Sequence, residues 1–252
     1  MHHGRSTDSI KIFSKELGIN NYLISGNGAI LYDIKEEKII YNKFLTKDQV
    51  LKIAKICEEN SIHYSVYTEE EVISKDLKYN VLYYYRENMN KPEEKRTNIN
   101  IVSNVFKYIE KSENENFLKI TICDDNIEIF NNVMKKIKNI DNFDLLDVDY
   151  MTRKKIKCGE EEILVEYYYT EITNENVNKW TALKFLLDKL NIKKDEVIAI
   201  GDNYNDRQMI ENAGLGIVMG NSNPFMKICA DIIVTDNNSD GVCEAIEKYI
   251  LS

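Results

Sequence analysis

One stretch near the C-terminus restricts the possible folds more than any other. Val197-Ile198-Ala199-Ile200 is an unbroken apolar run of β-branched character, and Gly201-Asp202-Asn203-Tyr204-Asn205-Asp206 follows it directly. A strand that is apolar on both sides of its pleat suits a parallel sheet covered by helices on both faces. Ligands of such sheets bind just beyond the carboxyl ends of the strands. The run therefore predicts a buried strand and marks the place where its polar residues act. Its surroundings agree. Residues 178–190 carry Ala182, Leu183, Leu186, Leu187 and Leu190 on one helical side, and a further helix starts near Asp206. Short buried strands are expected at 216–219 and 231–234. A terminal helix from Gly241 is expected to pack through Val242, Ala245, Ile246 and Tyr249. Helices alternating with buried strands predict a parallel α/β sheet.

Upstream the texture changes. Residues 6–17 read as a helix with Ile10, Phe13 and Leu17 at spacings of three and four, closed by Gly18. A short strand at 22–24 ends in Ser25-Gly26-Asn27-Gly28, and strands at 29–32 and 39–41 flank the polar turn 33–38. Thr46 caps a helix reaching about Asn60. Strands are expected at 63–67, 81–85, 117–123, 143–150 and 162–168, with a helix at 127–140 and a polar loop at 87–98 holding Pro92. Tyr83, Tyr84 and Tyr85, like Tyr167, Tyr168 and Tyr169, read as sheet residues facing alternate sides rather than as a stacking platform. The span 44–152 is thus an α+β unit with no Gly-rich phosphate loop of its own.

Composition excludes several classes. With 252 residues, 43% hydrophobic and 30% charged, the chain can bury a sizeable core and is neither fibrous nor wholly disordered. A net charge of −9 argues against a nucleic-acid partner. Cys57, Cys123, Cys158, Cys229 and Cys243 are scattered singly, as expected of reduced thiols. No apolar run approaches the roughly 18 residues of a membrane span, and no signal-peptide pattern is present. The expectation is a cytoplasmic protein with no membrane or nucleic-acid partner, a monomer or weak homodimer. His2, His3 and His63 are expected to be terminal or surface residues, and Met1-His2-His3 reads equally as native or as a tag remnant.

Two carboxylates and two amides at the end of the 197–200 strand are hard oxygen donors, the kind that hold Mg²⁺ together with a substrate phosphate. Taken alone, Asp206 reads equally as a helix cap and Asn203 as the head of an Asx turn. Lys179 adds a second observation. A lysine at a helix N-terminus opposes the helix dipole, and a bound phosphate would reverse that cost.

At this point the sequence resembles a family. Val177-Asn178-Lys179-Trp180-Thr181-Ala182-Leu183, followed by Val197–Ile200 and the 201–206 motif, is similar to the third and fourth motifs of haloacid-dehalogenase-like (HAD) phosphatases. The subgroup it looks like is the Cof-like sugar-phosphate phosphatases. The run Gly214 to Ser222, the pairs Ala230-Asp231 and Asp240-Gly241, and the turn Asn27-Gly28-Ala29 match as well. The resemblance implies a Rossmann-like parallel-sheet core, residues 1–43 and 153–252, with an α+β cap inserted at 44–152. It also implies Mg²⁺-dependent hydrolysis of small phosphorylated metabolites. By the same carry-over, Lys179 and Asp206 are catalytic, and Asp202 and Asn205 hold the metal. Arg5, Asn27, Lys179 and Asn223 would meet the substrate. Trp180 replaces a usual Gly beside the lysine.

The chain departs from the family in one chemical respect. The family's nucleophile is an Asp at the end of the first core strand, with an acid/base Asp two residues on; no DxDGT occurs in this sequence. Gly4-Arg5 looks like the tail of the second motif, but His3 stands where its hydroxyl would be. The expectation is a chain that begins one strand–helix–strand unit late and is impaired for that reason. The alternative is an inactive relative that binds a phosphorylated ligand or a protein.

Overall fold

The computed structural model describes residues 7–113, 116–145, 152–158 and 161–251. Helix α1 (Thr7–Glu16) leads into β1 (Tyr22–Ser25), a short 3₁₀ turn at Gly26–Gly28, and strands β2 (Ile30–Asp33) and β3 (Lys38–Asn42). These three strands form an antiparallel sheet in the order β1-β2-β3. Gly18 takes φ +67, a left-handed conformation that suits its place after α1.

The middle of the chain builds a larger sheet. Its elements are α2 (Lys47–Glu59), β4 (His63–Thr68), β5 (Val72–Ser74), α3 (Tyr79–Met89), β6 (Ile99–Ile101), α4 (Val105–Lys111), β7 (Phe117–Asp124), α5 (Ile127–Ile137) and β8 (Phe143–Leu145). They are joined by β9 (Thr152–Cys158) and β10 (Glu161–Asn174). The sheet runs β6-β5-β4-β7-β10-β8, with β9 paired to β10. All its pairings are antiparallel except β5 with β6. Thr46 forms a full capping box with Gln49 at the start of α2. Val50, Ile53, Phe117, Ile120, Ile122, Phe130 and Val133 belong to the main core cluster. Pairing of Tyr168–Ile172 with β7 carries this sheet on to Asn174, past the expected division at 152/153.

Two expectations change here. Residues 81–85 are not a strand but part of α3, which ends at Met89, three residues into the expected loop, ahead of a 3₁₀ turn at Glu93–Lys95. Three successive tyrosines favour a strand locally, but β-propensity yields to packing. The helix buries Asn80 and Val81, exposes Tyr85, and lets the Tyr83 hydroxyl donate to Glu87 one turn on, at 2.7 Å. His63 is mostly buried rather than superficial: its ring meets Tyr79 edge-on, and its Nε2 is buried without a hydrogen-bond partner. Finally, β8 is described only to Leu145; residues 146–150 of the expected strand lie outside the described residues.

The C-terminal part has the alternating pattern expected. It comprises α6 (Lys179–Leu190), β11 (Ile198–Gly201), α7 (Arg207–Asn212), β12 (Leu215–Val218), α8 (Pro224–Ile228), β13 (Ile232–Ile233) and α9 (Gly241–Tyr249). Strands β11, β12 and β13 form a parallel sheet in that order. In β11 only Ala199 and Gly201 are buried, while Ile198 and Ile200 are half-buried, so the expected burial on both faces is partial. Its only described strand partner is β12. Helix α9 packs through Gly241 and Ala245; Val242, Ile246 and Tyr249 are exposed, contrary to the expected stripe.

Helix α6 joins the two smaller sheets. Its Ala182 and Leu186 pack on Ile24 and Leu31, and its Trp180 packs against the cluster of Ala199 and Met209. A further cluster joins Ala29, Ile30 and Val177 to Tyr67, Val72, Val81 and Leu118, fixing the middle sheet against the 26–30 turn. No helix among the described residues is long and apolar enough to cross a membrane. Cys57 and Cys123 are buried, Cys229 is half-buried and Cys243 exposed, all as free thiols; the side chain of Cys158 lies outside the description.

Candidate active site

The site is assembled where β11 ends, α6 begins and the 26–28 turn meets them. Asn178 caps α6, its Oδ1 accepting from the Thr181 N–H at 2.9 Å, and this makes Lys179 the first helical residue. The 26–28 turn presses hard against this cap. A side chain at Gly28, which has φ +108, would put its Cβ 2.2 Å from the Asn178 carbonyl oxygen. Asn27 beside it takes a left-handed φ of 58, which asparagine tolerates because its short side chain bonds locally.

Lys179 and Asp206 are 6% and 3% exposed and form a direct ion pair between Nζ and Oδ1. The other oxygen of Asp206 accepts the backbone N–H groups of Asp202, at 3.1 Å, and Asn203, at 3.0 Å. One carboxylate therefore folds the 202–206 loop and neutralises the lysine. Gly201 makes room for it, since a Cβ there would come 2.5 Å from the Asp206 Cβ. Burial works to raise the Asp206 carboxyl, but the lysine and the two N–H donors outweigh it and hold the group below the ordinary carboxylate range. Asp202 behaves oppositely: burial and the nearby Asp206 charge raise it, against the pull of Lys179.

The expected residues are thus partly united. Lys179, Asp202, Asn205 and Asp206 share this corner, and Asn27 joins them: its Oδ1 accepts from Asn205 Nδ2 at 3.1 Å. Asn223 is the N-cap of α8, its Oδ1 accepting from the Met226 N–H at 2.9 Å. Arg5, with Gly4 and His3, lies outside the described residues. Two residues that the sequence did not single out complete the corner. Glu171 of β10 accepts from Asn27 Nδ2 at 2.9 Å and pairs with the buried Lys119 of β7 at 2.7 Å. These contacts span 144 and 52 positions, so no local motif signals them.

The donor chemistry suits Mg²⁺ in part. Mg²⁺ takes one or two carboxylates and completes its shell with water and substrate phosphate. The Asp202 carboxylate is exposed, and Asn205, whose amide nitrogen faces Asn27, keeps its carbonyl oxygen for a cation. Oδ1 of Asp206 meets Lys179 and its Oδ2 accepts two backbone N–H groups, so Asp206 orders the loop. No group of three or more His, Cys, Asp or Glu side chains that could hold a metal occurs among the described residues.

Comparison with known proteins identifies the family. The family model for haloacid dehalogenase-like hydrolases matches residues 3–246. Phosphatase YwpJ of Bacillus subtilis (strain 168) is 24% identical over 264 residues, covering 98% of this chain and 86% of its own. The structure of a haloacid dehalogenase-like hydrolase from B. subtilis superposes with a TM-score of 0.76 at 22% identity, over 99% of this chain and 86% of that one. A HAD subclass IIB sugar phosphatase superposes at 0.71 with 18% identity, over 98% and 83%. By the family match over residues 3–246 the chain belongs to the haloacid dehalogenase-like hydrolase family and is by that membership a hydrolase of phosphatase type.

Proposed function

We propose that this site acts on phosphate monoesters of small metabolites, sugar phosphates or similar, with Mg²⁺ as the cofactor. The observation that carries the reading is the buried Lys179–Asp206 pair beside the exposed Asp202. Lys179 sits where the first free N–H groups of α6 point outward, so ammonium and helix end face an incoming phosphate together. Asp206 keeps that ammonium in place and keeps the backbone of Asp202 and Asn203 in one arrangement. Asp202 and Asn205 would hold the cation. When bound, the cation would neutralise charge on the phosphoryl oxygens. The side chains in hand bind, orient and neutralise; no described carboxylate stands as an attacking group, and no bond-making step is assigned to one.

That last observation supports a second reading, in which the chain binds a phosphorylated ligand without hydrolysing it. Cytoplasmic location and a monomer or weak dimer accompany both readings. The test is p-nitrophenyl phosphate turnover with Mg²⁺, comparing the chain with Asp202→Ala, alongside calorimetric titration with inorganic phosphate. Turnover lost in Asp202→Ala supports the hydrolase. Phosphate binding without turnover supports the binding module. Neither turnover nor Mg²⁺-dependent phosphate binding overturns both.

A further inference from the structure

The four side chains Lys119, Glu171, Asn27 and Asn205 form one line of hydrogen bonds from the interior of the middle sheet to the 202–206 loop. Lys119 is 4% exposed and lies on β7, diagonal across the strand pair from Glu171, because Thr121 is the direct partner of Glu171. Its ammonium stands 4.9 Å from the centre of the Tyr67 ring. Burial works to lower the Lys119 pKa, but the Glu171 charge and bond hold it above the ordinary value, so the ammonium keeps its charge. One Glu171 oxygen suffices for that pair. The second points out of the middle sheet, to Asn27 in the turn after β1.

The line has a polarity. An ionised carboxylate only accepts hydrogen bonds, whereas an amide both donates and accepts. Glu171 therefore compels Asn27 to present its NH₂ to it and its carbonyl oxygen to Asn205. Asn205 must then offer its own NH₂ to Asn27, at 3.1 Å, which leaves its carbonyl oxygen for the ligand side. A flipped Asn27 amide would set oxygen against oxygen. Glu171 also forms part of the wall of a cavity of about 470 Å³ with Asn27, Asn205 and Tyr204. Lys119 lines a second cavity of about 270 Å³ with Gly26 and Tyr84. Each cavity thus touches one end of the line.

We propose that Glu171 is a positioning residue: through Asn27 it fixes which way the Asn205 amide faces, so that the 202–206 loop takes its ligand-ready form only when the middle sheet is seated against the 26–28 turn. The consequence for cation binding rests on the function proposed above; the orientation of the amides does not.

The test uses the full chain and four forms: wild type, Glu171→Gln, Asn27→Gly and the double variant. Glycine adopts the left-handed conformation of residue 27 at no cost, so Asn27→Gly cuts the line while leaving the Lys119–Glu171 pair intact. The first readout is the side-chain NH₂ resonances of Asn205 by NMR, without metal. Glu171→Gln, which can donate as well as accept, is expected to shift or broaden them while β7 and β10 backbone amides keep their positions. The second is Mg²⁺ affinity, followed by the fluorescence of Trp180, the sole tryptophan. It is expected to fall at least fivefold in Glu171→Gln and equally in Asn27→Gly, with no further fall in the double variant. Unchanged Asn205 resonances in Glu171→Gln overturn the proposal, as do affinity losses that multiply in the double variant. If wild type binds no Mg²⁺, the cofactor assignment fails and the resonances still decide the positioning role. If Glu171→Gln does not fold, Asn27→Gly decides it by the same Asn205 signal.

Discussion

Two buried lysine–carboxylate pairs flank the seam between the middle sheet and the C-terminal part, and they hold different things together. Lys179 and Asp206 come from one local stretch, 27 positions apart, and their side chains are 7% and 4% exposed. Asp206 is also the hub of its own loop, accepting two backbone N–H groups. Lys119 and Glu171 come from neighbouring strands 52 positions apart, with 6% and 16% exposure. Glu171 accepts no backbone N–H in this network; its second bond goes to Asn27 in the turn between β1 and β2. The first pair builds a local shape, and the second joins two strands of the middle sheet and, through Asn27, ties that sheet to the 26–28 turn. Removing one partner should therefore be costlier in the first pair.

The largest effect is expected for Asp206→Ala. It leaves a buried ammonium uncompensated and two loop N–H groups unsatisfied, which together cost about 3–5 kcal/mol in urea unfolding. Adding Lys179→Met should recover part of that loss, because the uncompensated charge goes with it. The pH dependence has a definite sign. The folded Asp206 pKa lies below the unfolded one, so its stabilisation is present above about pH 4 and lost as pH falls through the folded value. The gap between wild type and Asp206→Ala should accordingly close in acid. A loss below about 1 kcal/mol at neutral pH, well under the cost of breaking a buried pair, would mean that the loop does not depend on this carboxylate.

Lys119→Met is the matched change in the second pair. Methionine fills a similar volume, while Glu171 keeps its bond to Asn27 and some contact with solvent. The expected cost is about 2 kcal/mol, below the roughly 3–5 kcal/mol of a fully buried pair, because Glu171 keeps these contacts. If Lys119→Met costs more than Asp206→Ala, the two pairs have been ranked wrongly and the seam, not the loop, is the more dependent on its ion pair.

The same contrast explains what could be read from the sequence. Lys179, Asp202, Asn205 and Asp206 were visible because a parallel strand followed by a helix brings nearby residues to one edge, and the resemblance to the family supplied the roles that spacing left open. Glu171 and Lys119 were not, since their meeting depends on the register of β7 against β10. Secondary structure failed where local preference and packing disagree. Val81 to Tyr85 read locally as a strand, yet they form a helix that buries Asn80 and Val81. The span 152–158, with Arg153, Lys154, Lys155 and Lys157, shows no apolar alternation, and it is the hairpin pairing with β10 that makes it a strand. The stripe expected for α9 failed because only Ala245 of its four residues finds a buried neighbour.

His63 extends the comparison to a buried group with no partner of opposite charge bonded to it. Burial lowers its pKa to about 4, with Asp76 working against this and Lys78 for it. It is therefore neutral when folded and protonated when unfolded between about pH 4 and 6.5. Its contribution to stability is lost as pH falls through that window, by about 3 kcal/mol. His63→Gln should flatten the acid limb of the stability curve there, measured by urea midpoints from pH 7 to 4. An unchanged limb would show that His63 takes up its proton equally well in the folded chain.

The smallest effect is expected at Asn223, where a structural and a ligand-binding role give different results. Its side-chain oxygen already accepts from the Met226 N–H, and it begins a five-residue helix with Pro224 in the first turn. Loss of an N-cap costs about 1 kcal/mol, whereas Ser or Asp would satisfy the same N–H. Asn223→Ala should therefore lower stability by about that amount, and Asn223→Ser should restore most of it. Phosphate affinity in the presence of Mg²⁺ should be the same in all three. An affinity lost in both variants while stability is kept would move Asn223 into the site beside Lys179 and end its assignment as a cap alone.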